Sequence, residues 1–312
     1  MSSTAIDTSR TNERLSAFMS EIGTKVPVDN FFGEEPTLDH FVKNAKRKKV
    51  GRQIITPILM DDNDSVQFSS DYDLVDTTAQ DAVVMLTYAI KRITGAATLS
   101  DDEIDEYSGK DHMLIDRIAT ARRDILKSAA VKASTALFAA SPGTDDPESL
   151  PNIIASSGAS GQVNASTVST WAAESNASTG DLLADMHTLY NEIQNQATQP
   201  SAIVTDQTVY ESFNNTVDVD VRYVDMDGTA NRGFSTLKFR GKPLWFDGRC
   251  TASTMYMWND DHLYLVIEPD KDRRFMPFEN AYNQFARSSK FIWKYLLMTD
   301  RRLASGKLTS IS

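Results

Sequence analysis

The chain has 312 residues, 41% hydrophobic and 24% charged, proportions typical of an ordinary folded protein that exclude wholesale disorder. A net charge of -11 disfavours direct wrapping of nucleic acid, because displacing counterions from phosphates needs a cationic surface. The single cysteine, Cys250, excludes an internal disulfide and a multi-thiolate metal site, and the four histidines (His40, His112, His187, His262) show no i, i+3 or i+4 pairing.

The longest apolar runs, Ala82 to Leu86 and Phe291 to Met298, are far shorter than the roughly 20 residues that span a bilayer, so no membrane span is expected. The polar start, Met1 to Arg10, lacks a secretory pattern and reads as cytosolic at synthesis. An acidic surface remains compatible with enclosing DNA, since a repelling wall lets a packaged polymer slide.

In chain order, Leu15, Phe18, Met19 and Ile22 fall at i, i+3, i+4 and i+7 and predict a short amphipathic helix over Thr11 to Gly23. After Pro27, Gly33 and Pro36 a second short helix follows, with Leu38, Phe41, Val42 and Ala45 on one face. A basic cluster of Lys43, Lys46, Arg47, Lys48, Lys49 and Arg52 then leads into Ile54, Ile55, Ile58 and Leu59. With a turn at Asp61 to Asp64 and a return over Ser65 to Tyr72, this predicts a hairpin. A ten-residue arm at about 3.3 Å per residue reaches about 30 Å, far enough to project. Its base is basic, whereas tip and return carry Asp61, Asp62, Asp64, Asp71, Asp73 and Asp76. Opposite patches suit contact between neighbours, and a pair of solvated charge clusters accounts for them equally well.

Thr77 to Ile93 reads as helical or mixed. A long helix starts near Lys110 and meets neither Pro nor Gly until Pro142; Ile118, Ala121, Ile125, Ala129 and Ala133 mark its apolar face. About 28 residues at 1.5 Å rise give a rod of about 42 Å. Ser141 to Ser178, rich in Ser, Gly and Asn with Trp171 as its aromatic anchor, reads as a long loop and a lobe boundary. The second lobe has an α+β pattern: a helix (Asp181 to Gln194), a strand (Ser201 to Thr205) and a short helix (Gln207 to Phe213). Strands are expected at Val217 to Val224, Thr236 to Phe239, Leu244 to Phe246, Met255 to Trp258 and Leu263 to Ile267.

The one motif that suggests catalysis is Asp225-Met-Asp227-Gly-Thr229. It resembles the nucleophile motif of haloacid-dehalogenase-type phosphotransferases, in which the first Asp attacks phosphorus, the second is acid/base and both help hold Mg2+. That chemistry needs further acidic and basic groups delivered by parallel βαβ units. Only 83 residues follow Thr229 and they read as antiparallel strands, so a turn between strands is the simpler reading of Asp and Gly here. The Asp61 to Tyr72 run lacks Gly at its sixth position (Val66) and Glu at its twelfth (Tyr72), which rules out a calcium loop. No phosphate-binding loop, dinucleotide fingerprint or nucleophile elbow is present, and no catalytic, cofactor or metal residues are assigned.

The order of elements resembles the major capsid proteins of tailed phages, which share the Johnson (Hong Kong phage capsid) fold. The residues that carry the resemblance are Thr78 to Val84, Gly95 to Glu103 and Ser108-Gly-Lys110 before the long helix, and Thr135 to Phe138 at its end. Further along they are Pro200 to Tyr210, Phe239-Arg-Gly-Lys-Pro-Leu-Trp-Phe-Asp247, Met255 to Asn259 and the tail Gly306-Lys-Leu-Thr-Ser310. Together they span Gln53 to Ser312. Family members often carry paired glycines after the spine helix, where this chain has the looser Gly158 to Asn164.

The resemblance implies an α+β, L-shaped subunit. It comprises an N-terminal arm (1–47), an extended loop (48–75), a peripheral domain (76–140 and 264–296) with a spine helix at about 110–138, and an axial domain (141–263 and 297–312). It further implies a non-enzymatic shell protein of the virion, made in the host cytoplasm, that assembles with itself into pentamers and hexamers around double-stranded DNA without reading its sequence. A separate scaffolding protein, a portal and possible decoration proteins are the partners expected, and no cofactor is. The contact candidates are Lys46, Arg47, Lys48, Lys49, Arg52, Asp61, Asp62, Asp64, Asp71 and Asp73. An encapsulating nanocompartment shell, which shares the fold, and a magnesium-dependent phosphatase using Asp225 and Asp227 are the rival readings.

Overall fold

The computed structural model describes residues 35–61, 65–71, 73–74, 82–103, 111–196, 198–220, 237–280 and 284–311. The expected helix over Thr11 to Gly23, the candidates Asp62 and Asp64, and the Asp225 to Thr229 motif lie outside these. In chain order the elements are helix α1 (Pro36–Lys43), strand β1 (Lys46–Arg47), the pair β2 (Gln53–Leu59) and β3 (Val83–Ala89), β4 (Lys91–Ser100) and the long helix α2 (Asp111–Leu137). Then follow α3 (Leu150–Ile153), β5 (Ala159–Ser160), β6 (Val163–Asn164), β7 (Glu174–Ala177), α4 (Leu182–Gln196), β8 (Ala202–Thr205) and α5 (Gln207–Asp220). The remaining strands are β9 (Lys238–Phe239), β10 (Lys242–Phe246), β11 (Met255–Trp258), β12 (Leu263–Ile267), β13 (Arg274–Asn280), β14 (Ala286–Thr299) and β15 (Ser305–Thr309).

Two sheets organise the chain. In the first, the 14-residue β14 is the spine: β12 and β13 follow one another along one of its edges, β4 pairs with it across Ala286–Tyr295, and β1 adds in parallel outside β12. The second runs β7-β15-β11-β8-β10-β9. Helix α2, with its 27 residues, lies on β4, and α1 packs against α2. Close approach is possible because the contacting residues are small. Ala129 and Ala133 are buried, and a Cβ on Gly95 of β4 would come within 3.3 Å of Ile125.

Burial explains the strands' unbroken apolar sequences. Along β11, Tyr256 and Trp258 face a core between the two sheets, while Met255 and Met257 face helices α4 and α5. Along β12, Leu263, Leu265 and Ile267 face that same central core, while Tyr264 and Val266 face the hairpin formed by β2 and β3. A strand covered on both faces has no polar side to show. Gly306 of β15 lets α4 sit directly on the sheet, since a Cβ there would lie 2.8 Å from Leu189 and 2.9 Å from Ile193.

Helix α1 is clasped to the seam between the sheets. Arg249 donates to both carboxylate oxygens of Glu35 (2.9 and 3.0 Å), and the Trp245 indole donates to the Thr37 hydroxyl (3.1 Å). His40 meets Asp260 at 2.9 Å, and Phe41 stacks on Trp258 with ring centroids 5.2 Å apart. Leu38 and Phe41 are buried and Val42 and Ala45 pack against the same core, as the sequence pattern implies.

Three expectations change. The return limb of the hairpin is Val83–Ala89, not Ser65 to Tyr72; every residue of β2 pairs with β3, from Gln53 with Ala89 to Leu59 with Val83. Ser65 to Tyr72 offers few apolar side chains, whereas Val84, Leu86 and Tyr88 bury one face of β3, so packing selects the later segment. Thr77 to Ile93 is therefore not helical where it is described: residues 83–89 are strand. Val217 to Asp220, expected as strand, is the last turn of α5, which continues from the buried face of Val209 and Phe213. Strands β13 and β14 carried no strand expectation, although the run Phe291 to Met298 forms more than half of β14.

Candidate functional site

The hairpin has two unlike faces. Strict alternation sends Ile54, Ile58, Val84, Leu86 and Tyr88 toward Val266, Leu296 and Met298 of the first sheet and toward Trp171. Polar ties fix this docking. The Tyr88 hydroxyl donates to the Thr299 carbonyl (3.2 Å) and lies 3.1 Å from Ser160 Oγ, and burial pushes the phenol's pKa up. The Thr87 amide donates to the Gly161 carbonyl (2.9 Å), and the Thr170 hydroxyl to that of Met60 (2.8 Å). Gly161 sits at φ 61° with the Tyr88 ring 2.8 Å from where a Cβ would be, so a side chain there would displace the hairpin. The paired stem therefore lies along the chain's own body, and the expected 30 Å projection does not hold for it.

The opposite face carries Ile55, Pro57 and Leu59 on β2 and Val83 and Met85 on β3, with Leu59 across from Val83 and Pro57 across from Met85. Leu59 is 75% exposed and Met85 57%. Beyond the stem, Val66, Phe68 and Leu74 stand exposed as well. Among the described residues, seven of the eleven large apolar side chains left exposed fall between Ile55 and Met85. Pro57 is tolerated because β2 is an edge strand with no further ladder to feed.

The charged candidates are placed less simply. Arg47 approaches Asp272 (3.8 Å) and Lys49 approaches Asp270 (3.1 Å), both on the chain's own β12–β13 connection. The Lys46 ammonium stands 3.3 Å above the Tyr264 ring. Lys48 and Arg52 are exposed, and their backbones close the hairpin base: the Lys48 amide donates to the Ile267 carbonyl (3.2 Å) and the Ile90 amide to that of Arg52 (3.1 Å). At the far end Asp61 and Asp71 are exposed, and the Asp73 carboxylate caps a local turn by accepting from the Ser70 amide (2.7 Å). The stem between base and tip is about 20 Å long at strand rise, and among the described residues the basic candidates pair with none of Asp61, Asp71 and Asp73.

Sequence reasoning went to the charges and missed the apolar face. The signal was there: QIITPIL and VVMLTYA are apolar at both parities, which marks either a strand covered twice or one covered once with a face to spare. Among the described residues no group of three or more His, Cys, Asp or Glu is placed to hold a metal ion, and no helix is long and apolar enough to cross a membrane.

The arrangement of two sheets, a spine helix and a docked hairpin is the Johnson (Hong Kong phage capsid) fold. The similarity runs end to end. The chain covers 96% of itself and 99% of a subunit of the cyanophage A-1(L) capsid at TM-score 0.72 and 13% identity. With a capsid subunit of the native GTA particle it shares 13% identity at TM-score 0.65, over 99% of this chain and 100% of that one. An encapsulin from Synechococcus elongatus PCC 7942 aligns at TM-score 0.62 and 12% identity, over 96% of this chain and 95% of that one. The chain matches no protein-family profile and no curated protein sequence.

Proposed function

We propose that the chain is a major capsid protein, a non-enzymatic subunit that assembles with copies of itself into pentamers and hexamers closing the icosahedral head around phage double-stranded DNA. The observation that carries this is the concentration of exposed apolar side chains on one hairpin, in a chain whose fold is that of capsid subunits. An apolar stripe that the chain leaves open marks a contact surface, and repeating a modest contact over many copies yields a persistent shell. The subunit divides into arm, extended loop (reaching to Ala89), peripheral domain and axial domain. The loop lies over a neighbouring subunit through Ile55, Leu59, Val83 and Met85, with Lys48 and Arg52 at its base and Asp61 and Asp71 at its tip adding charge pairing between copies. A scaffolding protein and a portal are the further partners, and the virion is the destination.

The test is to express the chain alone and image it by cryo-electron microscopy beside Leu59→Asp/Met85→Asp. Closed particles from the parent and soluble, folded, unassembled subunits from the variant are expected; unaltered particles from the variant would remove the hairpin from the contact. The encapsulin similarity keeps a second reading in view, a nanocompartment shell. Particles that hold a co-purifying protein rather than packaged DNA in the native host would favour it. The phosphatase reading loses its strand-borne context, because the residues before Asp225 are helical through Asp220.

A further inference from the structure

Between α1 and α2 runs an apolar groove of about 290 Å³, walled by Leu38 and Val42 on one side and Leu126 and Ala130 on the other, with Trp293 of β14 among its lining. One feature marks it as unfilled: Leu126 sits on the helix beside buried alanines and is still 37% exposed. The volume suits a few apolar side chains of a docked helix better than a larger ligand.

We propose that this groove receives the segment Thr11 to Gly23 of the same chain, through Leu15, Phe18, Met19 and Ile22. Their i, i+3, i+4, i+7 spacing is that of a helix laid into a groove between two others. The tether favours the chain's own groove over a neighbour's. Only residues 23–34 separate Ile22 from Glu35, which Arg249 pins one turn before Leu38. Twelve residues span at most about 40 Å, ample for a reversal back along α1, and a short tether gives an effective concentration near millimolar. The rim carries one charge of each sign, Asp39 and Arg273, and the segment carries Arg14 before its first anchor and Glu21 before its last. The arm of a free subunit is thereby folded onto its own spine helix rather than offered to a sister copy.

The test is a full-length Phe18→Cys/Leu126→Cys chain, oxidised mildly and read on non-reducing gels and by intact mass; the native Cys250 is buried and does not compete. An intrachain disulfide that forms faster than in a Ser3→Cys/Leu126→Cys control is expected. Disulfide-linked dimers would assign the groove to a second copy and overturn the proposal, as would a rate no faster than the control. Because cysteines can trap rare encounters, a second reading uses Leu126→Glu in the full chain: trypsin cleavage at Arg14 and Lys25 should accelerate several-fold while the thermal midpoint of the body stays put. Unchanged cleavage also overturns the proposal.

Discussion

Strands β11 and β12 and the hairpin stem β2–β3 are comparably apolar, yet the chain covers the first pair on both faces and the second on only one. Trp258 and Tyr256 meet the central core while Met257 and Met255 meet helices, so nothing along β11 is left to solvent. On the stem, Leu86 and Tyr88 are buried while Leu59, Val83 and Met85 on the opposite face are open. A subunit with no partner would place polar residues on that second face, as half-covered antiparallel strands usually do. Comparable apolarity thus reports a finished interior in one place and a face the chain leaves open in the other.

The largest effect is expected at the finished interior. Trp258 is fully buried, stacks on Phe41 and donates to Asp260 (2.9 Å), so Trp258→Ala should cost about 3–5 kcal/mol in urea unfolding. Retention of most stability would mean that the two-sided core is looser than its burial implies. Arg302 should come next. Its guanidinium, fully buried, donates to the carbonyls of Ile153 (2.8 Å), Ala155 (2.9 Å), Asn152 (3.1 Å) and Trp171 (3.1 Å), stitching the connection between α2 and β7 that backs the hairpin. Arg302→Met removes the donor from all four carbonyls, of which that of Ala155 keeps the Ala173 amide, and should cost about 3 kcal/mol, with hydrogen exchange rising over residues 150–171. Protection that survives would show the loop to be held by other contacts.

The comparison is sharpest within the hairpin, on adjacent residues. Leu86→Ala should lose about 2–4 kcal/mol, whereas Met85→Ala should stay within about 0.5 kcal/mol of the parent in the unassembled subunit. If both cost the same, the outer face is covered by the chain itself and is no contact surface.

Much of the fold was legible because its signals are local. The spine helix shows its period in Ile118, Ile125 and Ala129, and β11 and β12 announce themselves as short apolar runs between turn residues. What escaped depends on distant partners. Val83–Ala89 becomes the return strand only because Val266, Leu296 and Met298 wait to be covered, and β14 becomes a strand because β4, 186 residues away at the Ser100–Ala286 pair, aligns with it. On the hairpin the charges were visible and the apolar face was not, since exposure is settled by the fold rather than by residue type. Arg47 and Lys49 show the converse: conspicuous in sequence, they are engaged by Asp272 and Asp270 in exposed pairs worth about 0–1 kcal/mol each.

The smallest effect concerns the turn that joins the two doubly covered strands. Burial pushes the Asp260 carboxyl up, but the hydrogen bond and charge of His40, with hydrogen bonds from Ser201 (2.7 Å) and the Trp258 indole (2.9 Å), outweigh it, and the net pKa lies below the ordinary value. A carboxylate whose folded pKa is depressed stabilises the fold above its unfolded pKa of about 3.9, and that contribution disappears as pH falls through the lower folded value. Parent and Asp260→Asn should therefore differ in urea midpoint just above pH 4, and converge as the pH falls below it. A gap that persists at pH 2 to 3 would mean that Asp260 acts by shape and neutral hydrogen bonding. The clasp between α1 and the seam would then hold without the Asp260 charge, through the Arg249–Glu35 pair, the Trp245–Thr37 hydrogen bond and the stacking of Phe41 on Trp258.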